Sequence, residues 1–169
     1  KPVAGVGGPF VGARSLTNDE IATIANWVQA GMPRGEDRAA VPAKPLPEWR
    51  LGAPDLVVTL DHAYTLGADG PDVFRNFAVP IPVDNLKYVA AVDFSPAGAR
   101  AIHHANLRFD PSTTSRELDA DDKEPGYEGA VSINARYPDG YFLGWTPGQS
   151  PLASAQGMAW RLAPNTDLV

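Results

Sequence analysis

The stretch Arg100-Ala101-Ile102-His103-His104-Ala105-Asn106-Leu107-Arg108-Phe109-Asp110 decides how this chain is read. Its odd positions Ala101, His103, Ala105, Leu107 and Phe109 are mostly apolar. From His104 on, its even positions His104, Asn106, Arg108 and Asp110 are polar. Side chains alternate faces along a strand, so the pattern predicts a half-buried strand with His103 turned to a core and His104 to solvent. Two of the chain's three histidines lie here, side by side. One reading is a core histidine beside a solvent histidine, with no metal. The other is a copper site, since neutral imidazole suits Cu and Zn. Adjacent histidines reach one ion only where the strand bulges or twists, or where different ring nitrogens bind.

Working outward, Leu86, Tyr88, Ala90, Val92 and Phe94 alternate with Lys87 and Asp93, a good half-buried strand. Ser95-Pro96-Ala97-Gly98 is read as the turn that makes it a hairpin with the His-His strand. Leu56-Val57-Val58-Thr59-Leu60 and Val73 to Val79 are predicted strands, as are segments around 130–133, 141–145 and 158–162. Residues 111–128 carry Asp119, Asp121, Asp122 and Glu124 and are read as a long solvated loop. They lack the spacing and central Gly of a calcium loop. Short strands spaced by turns predict a mainly β fold, an antiparallel β-sandwich resembling a jelly roll.

Toward the N-terminus, Thr17-Asn18-Asp19-Glu20 is a capping box. Ile21, Ile24, Ala25 and Val28 then share one helical face, extended by Trp27. Gly31 supplies a C-cap and Pro33 a stop, so one amphipathic helix is predicted over 18–30, too short to stand alone in water. Met32 beside it is read as packing rather than as a soft metal ligand. The Gly-rich residues 1–15 lack a phosphate loop's Lys-Ser/Thr pair and are read as a flexible arm. Pro33, Pro42, Pro45, Pro47 and Pro54 mark a semi-rigid linker. The expected organisation is an arm and terminal helix over 1–32, the linker over 33–54, and the β domain over 55–169.

Composition closes off several functions. A net charge of -6 lacks the basic footprint of nucleic-acid binding. No apolar run reaches membrane-spanning length. With no cysteine, thiolate metal sites, disulfides and Cys catalysis are excluded, and so is a Cys-x-x-Cys-His heme attachment. No Gly-x-Ser-x-Gly elbow supports a serine hydrolase. His62, at a predicted strand end, is read as a surface residue. Tyr141, Phe142, Trp145 and Trp160 are read as core and rim, with a ligand groove as the alternative.

Several segments together carry a resemblance. They run from Leu16-Thr17-Asn18-Asp19-Glu20-Ile21 through Trp27-Val28 and Ala30-Gly31 to Trp49-Arg50-Leu51-Gly52-Ala53-Pro54-Asp55-Leu56-Val57. Gly70-Pro71-Asp72-Val73-Phe74-Arg75, His103-His104, Asp110, Arg116-Glu117-Leu118-Asp119 and Pro125-Gly126-Tyr127 follow. Gly144-Trp145-Thr146-Pro147-Gly148 and Asp167-Leu168-Val169 close the pattern. The chain thereby resembles bacterial secreted proteins in which a c-type cytochrome domain precedes a copper type II ascorbate-dependent monooxygenase-like region, similar to peptidylglycine α-hydroxylating monooxygenase. The resemblance implies paired β-sandwich domains, each with one copper, that reduce dioxygen and hydroxylate a C–H bond. His103 and His104 match the first copper's histidine pair. In the family a third His follows the Asp-Leu-Val strand by a few residues, and the second copper takes a His-x-His pair and a Met from the second domain. The expectation is therefore a fragment of a periplasmic or secreted redox protein, open at both ends, whose partners are the remainder of the chain or other subunits of an envelope redox complex. A non-catalytic interaction subunit of such a complex is the alternative.

Overall fold

In a computed structural model of the chain, residues 15–37, 49–97, 99–139 and 141–169 are described. Two compact units divide at Lys44 and Pro45. The expected flexible arm falls on residues 1–14, and much of the expected linker on residues 38–48, both outside the described residues.

The first unit contains α1 (Asn18–Gln29), formed as the sequence dictates. The Thr17 hydroxyl accepts from the Glu20 N–H at 3.2 Å, and the Thr17 N–H donates back to the Glu20 carboxylate at 2.7 Å, closing the capping box. Gly31 follows the helix at φ +82°, the left-handed conformation that ends helices. Within its own unit none of the helix's residues is buried.

The second unit is mainly antiparallel β. Among the described residues it holds eleven short strands: β1 (Arg75–Asn76), β2 (Val79–Pro80), β3 (Lys87–Val89), β4 (Ala91–Val92), β5 (Ala105–Asn106), β6 (Phe109–Asp110), β7 (Tyr127–Glu128), β8 (Gly144–Trp145), β9 (Leu152–Ala153), β10 (Trp160–Leu162) and β11 (Asp167–Leu168). A second helix, α2 (Thr114–Asp121), lies between β6 and β7. The pairings are β1–β7, β3–β10, β4–β9, β5–β8 and the three-stranded order β2–β11–β6, all antiparallel.

Several expectations change. The Ser95-Pro96-Ala97-Gly98 turn does not make a hairpin, because β3 and β4 pair with β10 and β9 while β5 pairs with β8. Residues 56–60 and 130–133 form no strand; Leu56, Val57 and Leu60 are exposed without a ladder partner, and Ile133 is 84% exposed. The expected loop over 111–128 contains α2. Its N-terminal turn is ordered from the preceding strand: the Asp110 carboxylate accepts from the Ser112 N–H at 2.8 Å and the Ser115 N–H at 3.1 Å, satisfying donors that a helix start leaves open.

The core forms where the alternation of the opening stretch holds. Leu107, Leu143 and Trp160 are buried together, with Val89, Val92, Phe94, Phe109, Tyr141, Leu152 and Leu168 packed around them. Trp145 is buried edge-on against Phe94 at 5.4 Å, an arrangement that suits the aromatic quadrupole. The buried Trp160 Nε1 has no hydrogen-bond partner, and nothing in the fold explains it.

Polar clamps hold the rest. Arg75 donates through Nε to the Pro125 carbonyl at 2.7 Å, and through Nη2 to Asp122 at 2.7 Å and to the Glu124 and Gly126 carbonyls at 3.0 Å. Its guanidinium also stacks on Tyr64 at 5.2 Å. Asp119 accepts from the Ala78 and Gly126 N–H groups at 2.8 and 2.9 Å. The acidic segment is thus pinned to β1 and to Ala78 by its own carboxylates and carbonyls. At the start of the unit, the Arg50 N–H and Nη2 bond both oxygens of Asp93 at 2.8 and 2.7 Å.

Candidate metal centre

His103 and His104 lie between the 3-10 turn Ala99–Ala101 and β5, in residues that belong to no strand. Both are exposed. The burial expected for His103 is therefore corrected: strand alternation begins only at Ala105, so it does not govern the histidines. Their rings stand 5.3 Å apart between centroids, at 69° to each other. The two imidazoles are neighbours on one exposed edge rather than on opposite faces of a sheet.

The ladder beyond them has a direction. Asp167 faces Asp110 and Leu168 faces Phe109. Val169 exchanges both backbone hydrogen bonds with Arg108, at 2.7 and 2.8 Å. Each step forward along β11 is therefore one step back along the opposing strand, toward the histidines.

The donor set is short of a full site. No group of three or more His, Cys, Asp or Glu able to hold a metal occurs among the described residues. His62 is exposed and joins no such group. Two neutral imidazoles suit copper in kind; in number they supply part of a coordination sphere.

Next to His104 is a groove of about 240 Å³, lined among others by Asn106, Phe142, Gly144, Thr146 and Gln149. The Gly-Trp-Thr-Pro-Gly segment builds one wall. Gln149 N–H donates to the Thr146 carbonyl at 3.0 Å across Pro147 and Gly148, with Gly148 at φ +80°, the pattern of a type II turn. The Gln149 side chain donates to the Gly144 carbonyl at 2.8 Å and accepts from the Thr146 N–H at 3.2 Å. It therefore holds the turn. Gly144 is the floor, since a Cβ there would lie 2.5 Å from the Phe142 ring. Phe142 is 68% exposed.

The chain matches no protein-family model, no curated protein and no solved structure. A wider bowl of about 560 Å³ is lined by Arg75, Asp121, Asp122, Lys123, Glu124 and Glu128. Its arginine is already saturated by the carbonyls and carboxylate described above, so it reads as a structural knot. Among the groove residues, Asn106, Gly144 and Thr146 were not singled out from the sequence as a site.

Proposed function

We propose that His103 and His104 are two ligands of a mononuclear copper site in the first β domain of a secreted or periplasmic copper monooxygenase-like protein, one that hydroxylates a C–H bond with dioxygen. The observation that carries this reading is the side-by-side, exposed placement of the two imidazoles just before β5, with β11 on the neighbouring β6 running antiparallel toward them. In the family that the chain resembles, a third His follows the Asp-Leu-Val strand closely, and Asp167-Leu168-Val169 lies here against Asp110, Phe109 and Arg108.

Copper held there supplies one-electron chemistry. This chain's own part is narrower: it presents two imidazoles at the sheet edge, on a backbone anchored by the β5–β8 and β6–β11 ladders. A β-sandwich is the architecture this reading entails for the second unit.

A second reading is a non-catalytic interaction module of an envelope redox complex. It is favoured by α1, whose Ile21, Ile24, Trp27 and Val28 are each about half exposed, an apolar face of the kind that serves binding. Metal analysis of the protein purified from its native source separates the two. Copper bound in proportion to protein supports the copper site, and copper-free protein that retains its partners supports the module.

A further inference from the structure

We infer that residues 56–60 are an unpaired strand that takes up an extended strand of another protein, one carrying lysine or arginine at both of its ends. This does not rest on the copper reading. Leu56-Val57-Val58-Thr59-Leu60 has the β-branched and apolar composition of a strand, and it runs without helix, turn or bend. No ladder pairing and no backbone hydrogen bond among the described residues involves residues 53–74. Leu56, Val57 and Leu60 are exposed, and Val58 alone of the five is half-buried. Both flanks are anchored. Ahead of the segment, the Arg50 N–H and guanidinium bind Asp93 at 2.8 and 2.7 Å. Behind it, the Tyr64 ring lies edge-on to Phe77 at 6.2 Å between centroids and beneath the Arg75 guanidinium at 5.2 Å. The backbone between is therefore held in place while its N–H and C=O groups stay without protein partners among the described residues, which is what an edge that accepts an added strand requires.

Charge selects the occupant. Residues 51–74 hold Asp55, Asp61, Asp69 and Asp72 and no Lys or Arg. All four are exposed, and none joins an ion pair among the described residues. Antiparallel pairing with a second copy, centred on Val58, would set Asp55 opposite Asp61 at both ends, and like charges so placed repel. Flanking charge of this kind keeps edge strands from pairing with themselves. A strand with Lys or Arg at its ends turns both repulsions into attractions, while its apolar residues meet Leu56, Val57 and Leu60.

The test is a titration of the protein with the end-capped peptide Lys-Val-Thr-Val-Thr-Val-Lys, followed by amide chemical shifts and hydrogen exchange. Two controls run beside it: the same peptide with Glu in place of each Lys, and the lysine peptide with its central amides N-methylated. The lysine peptide is expected to bind about tenfold more tightly than the glutamate one at low salt, with the gap closing as salt is added. Its binding should slow exchange of the amides within 56–60, and the N-methylated peptide should not bind. The doubly substituted Val57→Pro, Leu60→Pro protein loses a donor on each edge of the strand and no native ladder bond, so it should stay folded by circular dichroism and release the peptide. If it does not fold, the N-methylated contrast on the unaltered protein decides. Equal binding of the lysine and glutamate peptides, binding of the N-methylated one, retention by the folded proline variant, or no saturation up to about 1 mM would each overturn the inference. So would slow exchange of 56–60 in the protein alone: independent of concentration, it would show the edge covered by its own chain, and rising with concentration, by a second copy.

Discussion

Asp110 and Asp167 stand directly opposite each other across the β6–β11 ladder, and both are fully buried. Like charges in that position repel, and each is compensated separately. Asp110 is held by the hydroxyls and N–H groups of Ser112 and Ser115. Asp167 takes a two-point ion pair from Arg116 on α2, with Nε 2.9 Å from one carboxylate oxygen. The helix therefore bridges the two strands, and the register that points β11 at the histidines is locked by it.

The lock has a pH signature. Burial pushes the Asp110 carboxyl up, but the hydrogen bonds from Ser112 and Ser115 outweigh it and hold the group below the usual carboxylate range. Asp93 behaves alike: burial raises it, and the bonds and charge of Arg50 lower it further. A folded-state value below the unfolded one gives stability that is complete above the unfolded pKa of about 3.9 and is lost as pH falls through the folded value. Asp110→Asn is expected to cost about 1.5–3 kcal/mol at neutral pH, the worth of hydrogen bonds to a charged group. In urea unfolding from pH 7 to pH 2, the Asp110→Asn and Asp93→Asn curves should be flatter on the acid side than the parent's. Parallel acid limbs would remove these carboxylates from the account of stability.

Gly126 is expected to tolerate no side chain. It sits at φ +79°, and a Cβ there would lie 2.5 Å from the Asn76 carbonyl oxygen and 2.9 Å from the Phe77 ring. The left-handed backbone and the forced displacement together predict a loss of about 2–4 kcal/mol for Gly126→Ala. Thermal melting of the variant measures it. Gly157, at φ +79° with nothing within 4 Å of its Cβ position, should lose only the smaller, backbone part.

Arg75→Lys is expected to behave as a disruption. The side chain is 3% exposed and its fork spans two carboxylates, Asp122 and Glu128, and three carbonyls, which a single ammonium cannot reproduce. Burial works against the guanidinium's charge, and the Asp122 hydrogen bond and charge more than restore it. Amide exchange over 119–128 should quicken in the variant, while the β6–β11 amides stay protected longer. Uniform loss of protection across the unit would show that Arg75 holds more than this segment.

How much of this was legible in the sequence follows from the reach of each interaction. The Thr17 capping box closes within three residues, so α1 could be read to within a residue. The apolar phase of Ala105, Leu107 and Phe109 likewise gave the mainly β character and the buried Leu107. By contrast, α2 carries only Leu118 as a large apolar residue and owes its start to Asp110 of the preceding strand. Strands of two or three residues carry little register information, so the local pattern favours a hairpin where the chain forms the β4–β9 and β5–β8 pairings. The histidines fell outside the alternation because the 3-10 turn before them displaces the strand's start.

The most direct measurement of the proposed copper site is electron paramagnetic resonance of the protein with one equivalent of Cu(II), beside the His103→Ala, His104→Ala and doubly substituted variants. The unaltered protein should show nitrogen hyperfine coupling from two imidazoles, each single variant should lose one of them, and the double variant should release the ion to buffer. An unchanged spectrum in the double variant would place the copper elsewhere, at His62 or the amino terminus, and His103 and His104 would then have no part in holding it.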